Sequence, residues 1–337
     1  MIQLFDPSYQ NVRPTLIEHI DNEQAGIDVA MWFMEDLRIS TALIRAHRRG
    51  VPVRVLMNRR DGVPAQMAPL EQLQAAGVPM RASLNFFHPK AMIFAGQQVL
   101  EIGGANFTGD AWHPEVPYVN YVDEIIGFLS EPRFVQPAMR EFEDAWMSPS
   151  ECCDYCNAPD QLLQRQHADC PGSGDAFLTR THFYERLMTL IAMENDQIDI
   201  IMYRLTNADL WHQLHLAQER GVRVRLISEP DSYYKWQQQT YMAPFNLVEG
   251  IYYMHALGGQ IKHRVHAGLT HEKFGLFYSS QRMLFGSQNW CTNEWGHEWN
   301  VDIYGDEPVF KWGIEHFERK WNAPAEFAPI DRILTWW

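Results

Sequence analysis

Two short runs concentrate the residues able to do chemistry. His88-Pro89-Lys90 and His271-Glu272-Lys273 each place an imidazole two positions before an ammonium. Each is followed by small residues ending in an asparagine, Gly103-Gly104-Ala105-Asn106 and Gly286-Ser287-Gln288-Asn289. Every matched position keeps one separation, 183 residues. Neutral imidazole is a nucleophile near neutral pH and a proton donor once charged. Lysine is a compact cation and the Asn amide a neutral donor, and both suit anionic oxygens. Brought together, two such sets form a cradle for one phosphate group with an imidazole on either side. One His would attack phosphorus to give a phosphohistidine. The other would protonate the departing alkoxide and then deprotonate the incoming water or alcohol. Lys90, Lys273, Asn106 and Asn289 would stabilise the non-bridging oxygens. Since the lysines supply positive charge, this chemistry requires no metal cofactor.

The elements that position these residues are also duplicated. Residues 27–57 and 198–228 align without a gap at a separation of 171. In each, a β-rich run precedes a stretch with apolar residues at helical spacing, such as Ile39, Leu43 and Ala46. Gly50 or Gly221 then ends the helix, and a second β-rich run follows. Strand, helix, strand twice over predicts an α/β fold of two similar halves. Each half is expected to be a mixed, mostly parallel sheet flanked by helices, the two packed with pseudo-two-fold symmetry. The step from 171 to 183 marks a twelve-residue insertion within 231–252, a region rich in aromatics such as Tyr233, Tyr234, Trp236 and Tyr241. Aromatic packing on the domain is its expected role. The runs after each Lys read as a hairpin that returns the Asn to the His-Lys pair. Phe142 and Trp146 match Phe317 and Trp321, aromatic pairs one helical turn apart that read as packing residues. The expected organisation is an N-terminal half at 1–147, a Cys/Pro/Gly-rich linker at 148–176 and a C-terminal half at 177–337.

The paired motifs resemble those of the phospholipase D superfamily, whose members carry HxK(x)4D twice, each followed by G-[GS]-x-N. The resemblance runs from about Ile27 to Trp321. It implies a metal-independent phosphodiesterase that cleaves a lipid phosphodiester, or transfers its phosphatidyl group, through a phosphohistidine. The motif's Asp is absent from both copies, where Ala95 and Tyr278 stand; this leaves the chemistry intact and changes how each Lys is held. The family also places an acidic residue after each Asn to orient a His. Glu298 fits that place. Aligning Gly127 with Gly305 sets Asn120 opposite Glu298 and Glu124 opposite Asp302, so the first half lacks an acidic partner in this alignment. On that asymmetry His271 suits proton transfer and His88 the nucleophile, with Asn120 and Glu124 left as substrate contacts. His266, five residues before His271, is a further candidate for the substrate cleft.

Other features qualify this reading. Cys152, Cys153, Cys156 and Cys170 lie in the linker with His167, at spacings open to a structural zinc, to disulfides or to free thiols. Arg45, Arg48 and Arg49 share the outer face of a helix and read as solvated surface. The chain has 337 residues and a formal net charge of −14, which disfavours non-specific nucleic-acid binding. A lipid substrate with peripheral membrane-surface contact is therefore favoured over DNA or RNA, with a nuclease on the same scaffold as the alternative. A non-catalytic phosphate-binding protein is the third reading, and retention of both His, Lys and Asn sets speaks against it. No run approaches the length of a membrane helix and no leader precedes the first half, which predicts a soluble chain, either cytoplasmic or a mature exported protein. Two motifs in one chain make a monomer sufficient for a complete site.

Overall fold

The computed structural model describes residues 1–58, 64–157, 164–165, 171–230, 245–291 and 296–330. Its organising unit is the strand–helix–strand repeat. Ile27–Met31 lies parallel to Val53–Asn58, and Gln197–Met202 parallel to Arg223–Ser228, each connected by a helix, Leu37–Arg48 or Ala208–Glu219. Matching residues cap the two helices. Asp36 accepts from the Arg38 N–H and Asn207 from those of Asp209 and Leu210. Gly50 and Gly221 follow the last turns at φ of 88° and 94°, a left-handed conformation that costs glycine little.

Among the described residues each half contributes eight strands to one sheet. The first runs Ile2–Phe5, Ile126–Leu129, Val99–Gly103, Lys90–Phe94, Ile27–Met31, Val53–Asn58, Met80–Ser83, Cys152–Cys156. The second repeats the order with Phe177–Thr179, Trp299–Ile303, Arg282–Gly286, Lys273–Phe277, Gln197–Met202, Arg223–Ser228, Gln260–Arg264, Phe327–Pro329. The sheets are mixed as expected, but the proportion is corrected. Parallel pairing is confined to the three strands joined by helical crossovers, and the hairpin and terminal strands add antiparallel. Short turns, unlike crossovers, can only reverse the chain.

The linker also needs correction. Cys152–Cys156 is the edge strand of the first sheet, paired with Met80–Ser83. The thiols of Cys152, Cys153 and Cys156 are free, and among the described residues no group of His, Cys, Asp and Glu is arranged to hold a metal. Cys170, His167 and the aromatic stretch 231–244 lie outside the described residues.

The main core joins the halves. Leu100, Ile102, Phe134 and Phe142 from one side pack in a single buried cluster with Phe274, Phe285, Trp299 and Phe317 from the other. The helices Pro132–Met147 and Glu307–Trp321 supply much of it. Their aromatic pairs also shelve a buried guanidinium. Arg54 lies 5.0 Å from the Phe142 ring centre and bonds Asp28 and Glu143. Arg225 lies 4.6 Å from that of Phe317 and bonds Asp199 and Glu318. Arg45, by contrast, is a half-exposed partner of Asp21, as its helical face predicts.

Candidate active site

Each candidate histidine is placed by a short parallel pairing between the two halves. Asn120–Asp123 and Ala267–Thr270 form a two-stranded ladder in which Thr270 stands beside Asp123. The next residue on each strand is then brought to its counterpart: His271 Nδ1 lies 2.5 Å from Glu124 Oε1. The His271 N–H donates to Asp123 O at 3.1 Å. On the opposite flank a single parallel bridge pairs Phe87 with His297, and the following residues meet in the same way. His88 Nδ1 lies 2.8 Å from Glu298 Oε1, and the His88 N–H donates to His297 O at 3.0 Å. Both carboxylates are wholly buried. An ionised carboxylate accepts from Nδ1–H, which makes Nε2 the unprotonated, nucleophilic nitrogen of the ring.

This geometry corrects the acidic-partner alignment. The strand register pairs Gly103 with Ile126 and Gly286 with Asn300, so the true separation here is 174 and Glu124 is the counterpart of Glu298. Neither half lacks a carboxylate, and each lends its own to the other half's histidine. The asymmetry that singled out His88 as nucleophile therefore disappears. Asn120 is corrected as well: its amide donates to the exposed Glu115. So is His266, whose ring stacks on Tyr121 at 3.9 Å while Nδ1 donates to Ala267 O. Neither is among the residues lining the cleft.

Neighbouring groups tune each pair. Ser287 Oγ donates to Glu298 Oε2. At the equivalent Gly104 a Cβ would stand 2.4 Å from Glu124 Oε2, so the absent side chain makes room for the carboxylate. Lys90 Nζ donates to His88 O at 2.6 Å, and Lys273 Nζ to His271 O. The missing motif aspartates do not bear on this. Five residues along a strand from Lys90 is about 16 Å away, and there Tyr278 donates to Asp199 while the Ala95 N–H donates to Gly26 O. Burial, followed by the charges of Lys273 and Lys90, holds the His271 pKa well below its ordinary value. Burial raises that of Glu124, opposed by Lys273.

His88, His271, Asn106, Asn289 and Glu124 all line one cleft of about 520 Å³. Trp32, Phe33, Phe86 and Tyr203 are aromatic residues of its wall. Trp32 and Phe86 lie 5.2 Å and 5.3 Å from His88, and Tyr203 lies 4.9 Å from His271. Trp32 and Tyr203 are equivalent at the 171 separation, a signal in the repeat that sequence reasoning passed over. Phe86 had no such signal. Among the described lining residues Arg204 is the cation, with Glu35 and Asp110 as carboxylates beyond Glu124.

The family model described as the phospholipase D-like domain of cardiolipin synthase matches residues 16–146 and again 187–321. The chain belongs to the phospholipase D superfamily. Its similarity to the mitochondrial cardiolipin hydrolase of Canis lupus familiaris is 28% identity over 145 residues, covering 43% of this chain and 51% of that one. The human protein of the same name is 27% identical over 138 residues, covering 41% and 50%. The chain thus spans about half the length of these curated relatives. Among solved structures, the phosphatidylserine synthase of Haemophilus influenzae superposes over 97% of this chain and 87% of its own, with a TM-score of 0.71 at 13% identity. A polyphosphate kinase from Porphyromonas gingivalis covers 97% and 48%, with a TM-score of 0.68 at 16% identity. These two likenesses establish the fold of this phospholipase D-like chain. No helix among the described residues is long and apolar enough to cross a membrane.

Proposed function

We propose that this chain is a phosphodiesterase of phospholipase D type, acting on a lipid phosphodiester through a phosphohistidine. The observation that carries the reading is the pair of His–Glu dyads facing one cleft, each assembled from both halves. The cardiolipin hydrolases and the phosphatidylserine synthase among the chain's relatives support a phospholipid substrate. The cleft supports it too, because Arg204 stands there against Glu35, Asp110 and Glu124, a balance that disfavours a polyanionic strand.

With a carboxylate behind each histidine, the burial of His271 beside Lys273 and Lys90 favours it as the nucleophile. His271, held neutral, presents Nε2 to phosphorus. As the N–P bond forms, the bond to the leaving alcohol breaks, and protonated His88 gives its proton to the departing oxygen. Neutral His88 then takes a proton from water, whose oxygen attacks phosphorus. The N–P bond breaks, a phosphomonoester leaves, and His271 is restored. An alcohol in place of water gives head-group exchange. The lysine charges and the Asn106 and Asn289 amides attract the anionic oxygens, so the cycle needs no cofactor. A single chain completes the site.

Hydrolysis of bis(p-nitrophenyl) phosphate in the presence of EDTA tests the mechanism, and release of the head group from phosphatidylglycerol or cardiolipin vesicles tests the substrate class. Turnover should survive the chelator and fall at least about a thousandfold in both His88→Asn and His271→Asn. With this activated leaving group, His88→Asn should accumulate an acid-labile phosphoenzyme and His271→Asn none. The reverse trapping exchanges the two roles. Turnover that depends on added divalent metal overturns the mechanism, and cleavage of single-stranded DNA in preference to lipid overturns the substrate class.

A further inference from the structure

Behind the second dyad lies a cluster of buried charges that the proposed steps do not use. His316 and Lys320, one turn apart on the helix Glu307–Trp321, both face it. Lys320 Nζ donates to Asp123 and lies 3.5 Å from Asp6 and 3.7 Å from Glu272, with its side chain wholly buried. His316 lies 3.1 Å from Asp6 and 3.0 Å from Glu272. Arg319 reaches Asp6 at 3.4 Å and Glu326 at 3.2 Å. Two of these carboxylates adjoin the dyad along the chain. Asp123 immediately precedes Glu124, and Glu272 immediately follows His271.

The first dyad lacks this arrangement. At the 175-residue separation of the aromatic pairs, Glu141 stands for His316 and Ala145 for Lys320. Pro89 replaces Glu272 and His297 replaces Asp123. The equivalent helix nevertheless packs on its sheet with Ala145 in the core. The fold therefore does not require an ammonium here, and burying one among carboxylates carries a heavy desolvation cost. What distinguishes the two places is the charge beside the dyad. Burial does most to favour the protonated form of Glu124, Glu272 and Asp123 add to it, and Lys273 and Lys90 oppose it.

We infer that Lys320 is a positioning residue for the proposed reaction, neutralising Asp123 and Glu272 so that Glu124 stays ionised and holds His271 in its reactive tautomer. The inference rests on the phosphodiesterase reading above. The groups around Glu124 are His271, Lys273 and Lys90, its chain neighbour Asp123 with Glu272, and, in contact with those two carboxylates, Lys320 and His316, which also meet Asp6, the partner of Arg319. Lys320→Met removes a positive charge, so Glu124 takes up its proton at higher pH. Asp123→Asn removes a negative charge and acts in the opposite sense. A purely structural role lowers activity in both variants without moving their titrations apart.

The test is the acid limb of the kcat/KM profile for bis(p-nitrophenyl) phosphate, a soluble diester that makes no demand on a membrane. The limb is expected to move up by about one pH unit in Lys320→Met and down by a similar amount in Asp123→Asn, the size of one nearby charge at an effective dielectric of about 20. Lys320→Met strands several carboxylates and can fail to fold. Asp123→Asn relieves negative charge, so its downward shift decides the matter alone if the other variant is lost. Limbs that stay in place, or move together, overturn the inference while leaving the parent reaction standing. A wild-type enzyme without turnover on this diester or on lipid overturns the phosphodiesterase reading, and this role falls with it.

Discussion

Gly104 and Ser287 occupy one position of the repeat but treat the neighbouring carboxylate differently. The serine hydroxyl donates to Glu298, whereas the glycine leaves space that Glu124 fills. A methyl group at Gly104 must push Glu124 away from His271, because the clash falls on the oxygen beside the one that holds the imidazole. Gly104→Ala is therefore expected to lower kcat by about tenfold to a hundredfold, the range seen when a group that orients a reactive side chain is displaced. Ser287→Ala removes a hydrogen bond to the Glu298 carboxylate, worth about 1.5–3 kcal/mol, and the one accepted from the Trp299 N–H, yet leaves Glu298 in place beside His88, so it should cost less, about tenfold. Steady-state kinetics on a soluble diester, with urea midpoints as a control for folding, checks the ranking. A larger loss in Ser287→Ala would contradict it. Residue types made much of this legible: His88, Lys90, Asn106 and their partners are rare enough in combination to be read directly. The role of Glu124 was not, since a carboxylate near an asparagine has no distinctive spacing until the strand register is known.

At the scale of elements, the parallel pairings govern the chemistry. The ladder Asn120–Asp123 with Ala267–Thr270 lies outside both large sheets, so its register can change without dismantling either. One extra residue between Leu269 and Thr270 should slip that register and part His271 from Glu124. The expected result is loss of turnover by at least about a thousandfold, with far-UV circular dichroism unchanged. Retained turnover would show that the dyad does not depend on the ladder. The strand–helix–strand units were visible in the sequence because capping residues, apolar period and the closing glycines all recur at 171. Alignment failed where the chain leaves that unit. Between Asn106 and Glu124 the first half has a longer excursion than the second has between Asn289 and Glu298, and matching Gly127 to Gly305 hid the difference. Similarly, the cysteine-rich stretch carries turn-forming residues on both sides, which masks a strand whose pairing partner, Met80–Ser83, is remote in sequence.

For the molecule as a whole, the shared core makes the halves one thermodynamic body. Phe285 is 1% exposed, and its ring lies 3.0 Å from where a Cβ on Gly127 would stand, across the seam. Truncating it should cost about 3–5 kcal/mol, the usual price of removing a buried aromatic ring. Because that cavity opens between the halves, Phe285→Ala should lower the urea midpoint of both together. Tryptophan fluorescence and far-UV circular dichroism are expected to follow one transition in wild type and variant alike. Two separated transitions would mean that the halves fold independently.

The crossed placement of Glu124 and Glu298 leaves neither half self-sufficient. The group that sets each imidazole is written into the opposite repeat, 147 positions from His271 and 210 from His88. A substitution at Glu124 is thus felt at His271, and one at Glu298 at His88, each in the half that does not carry it.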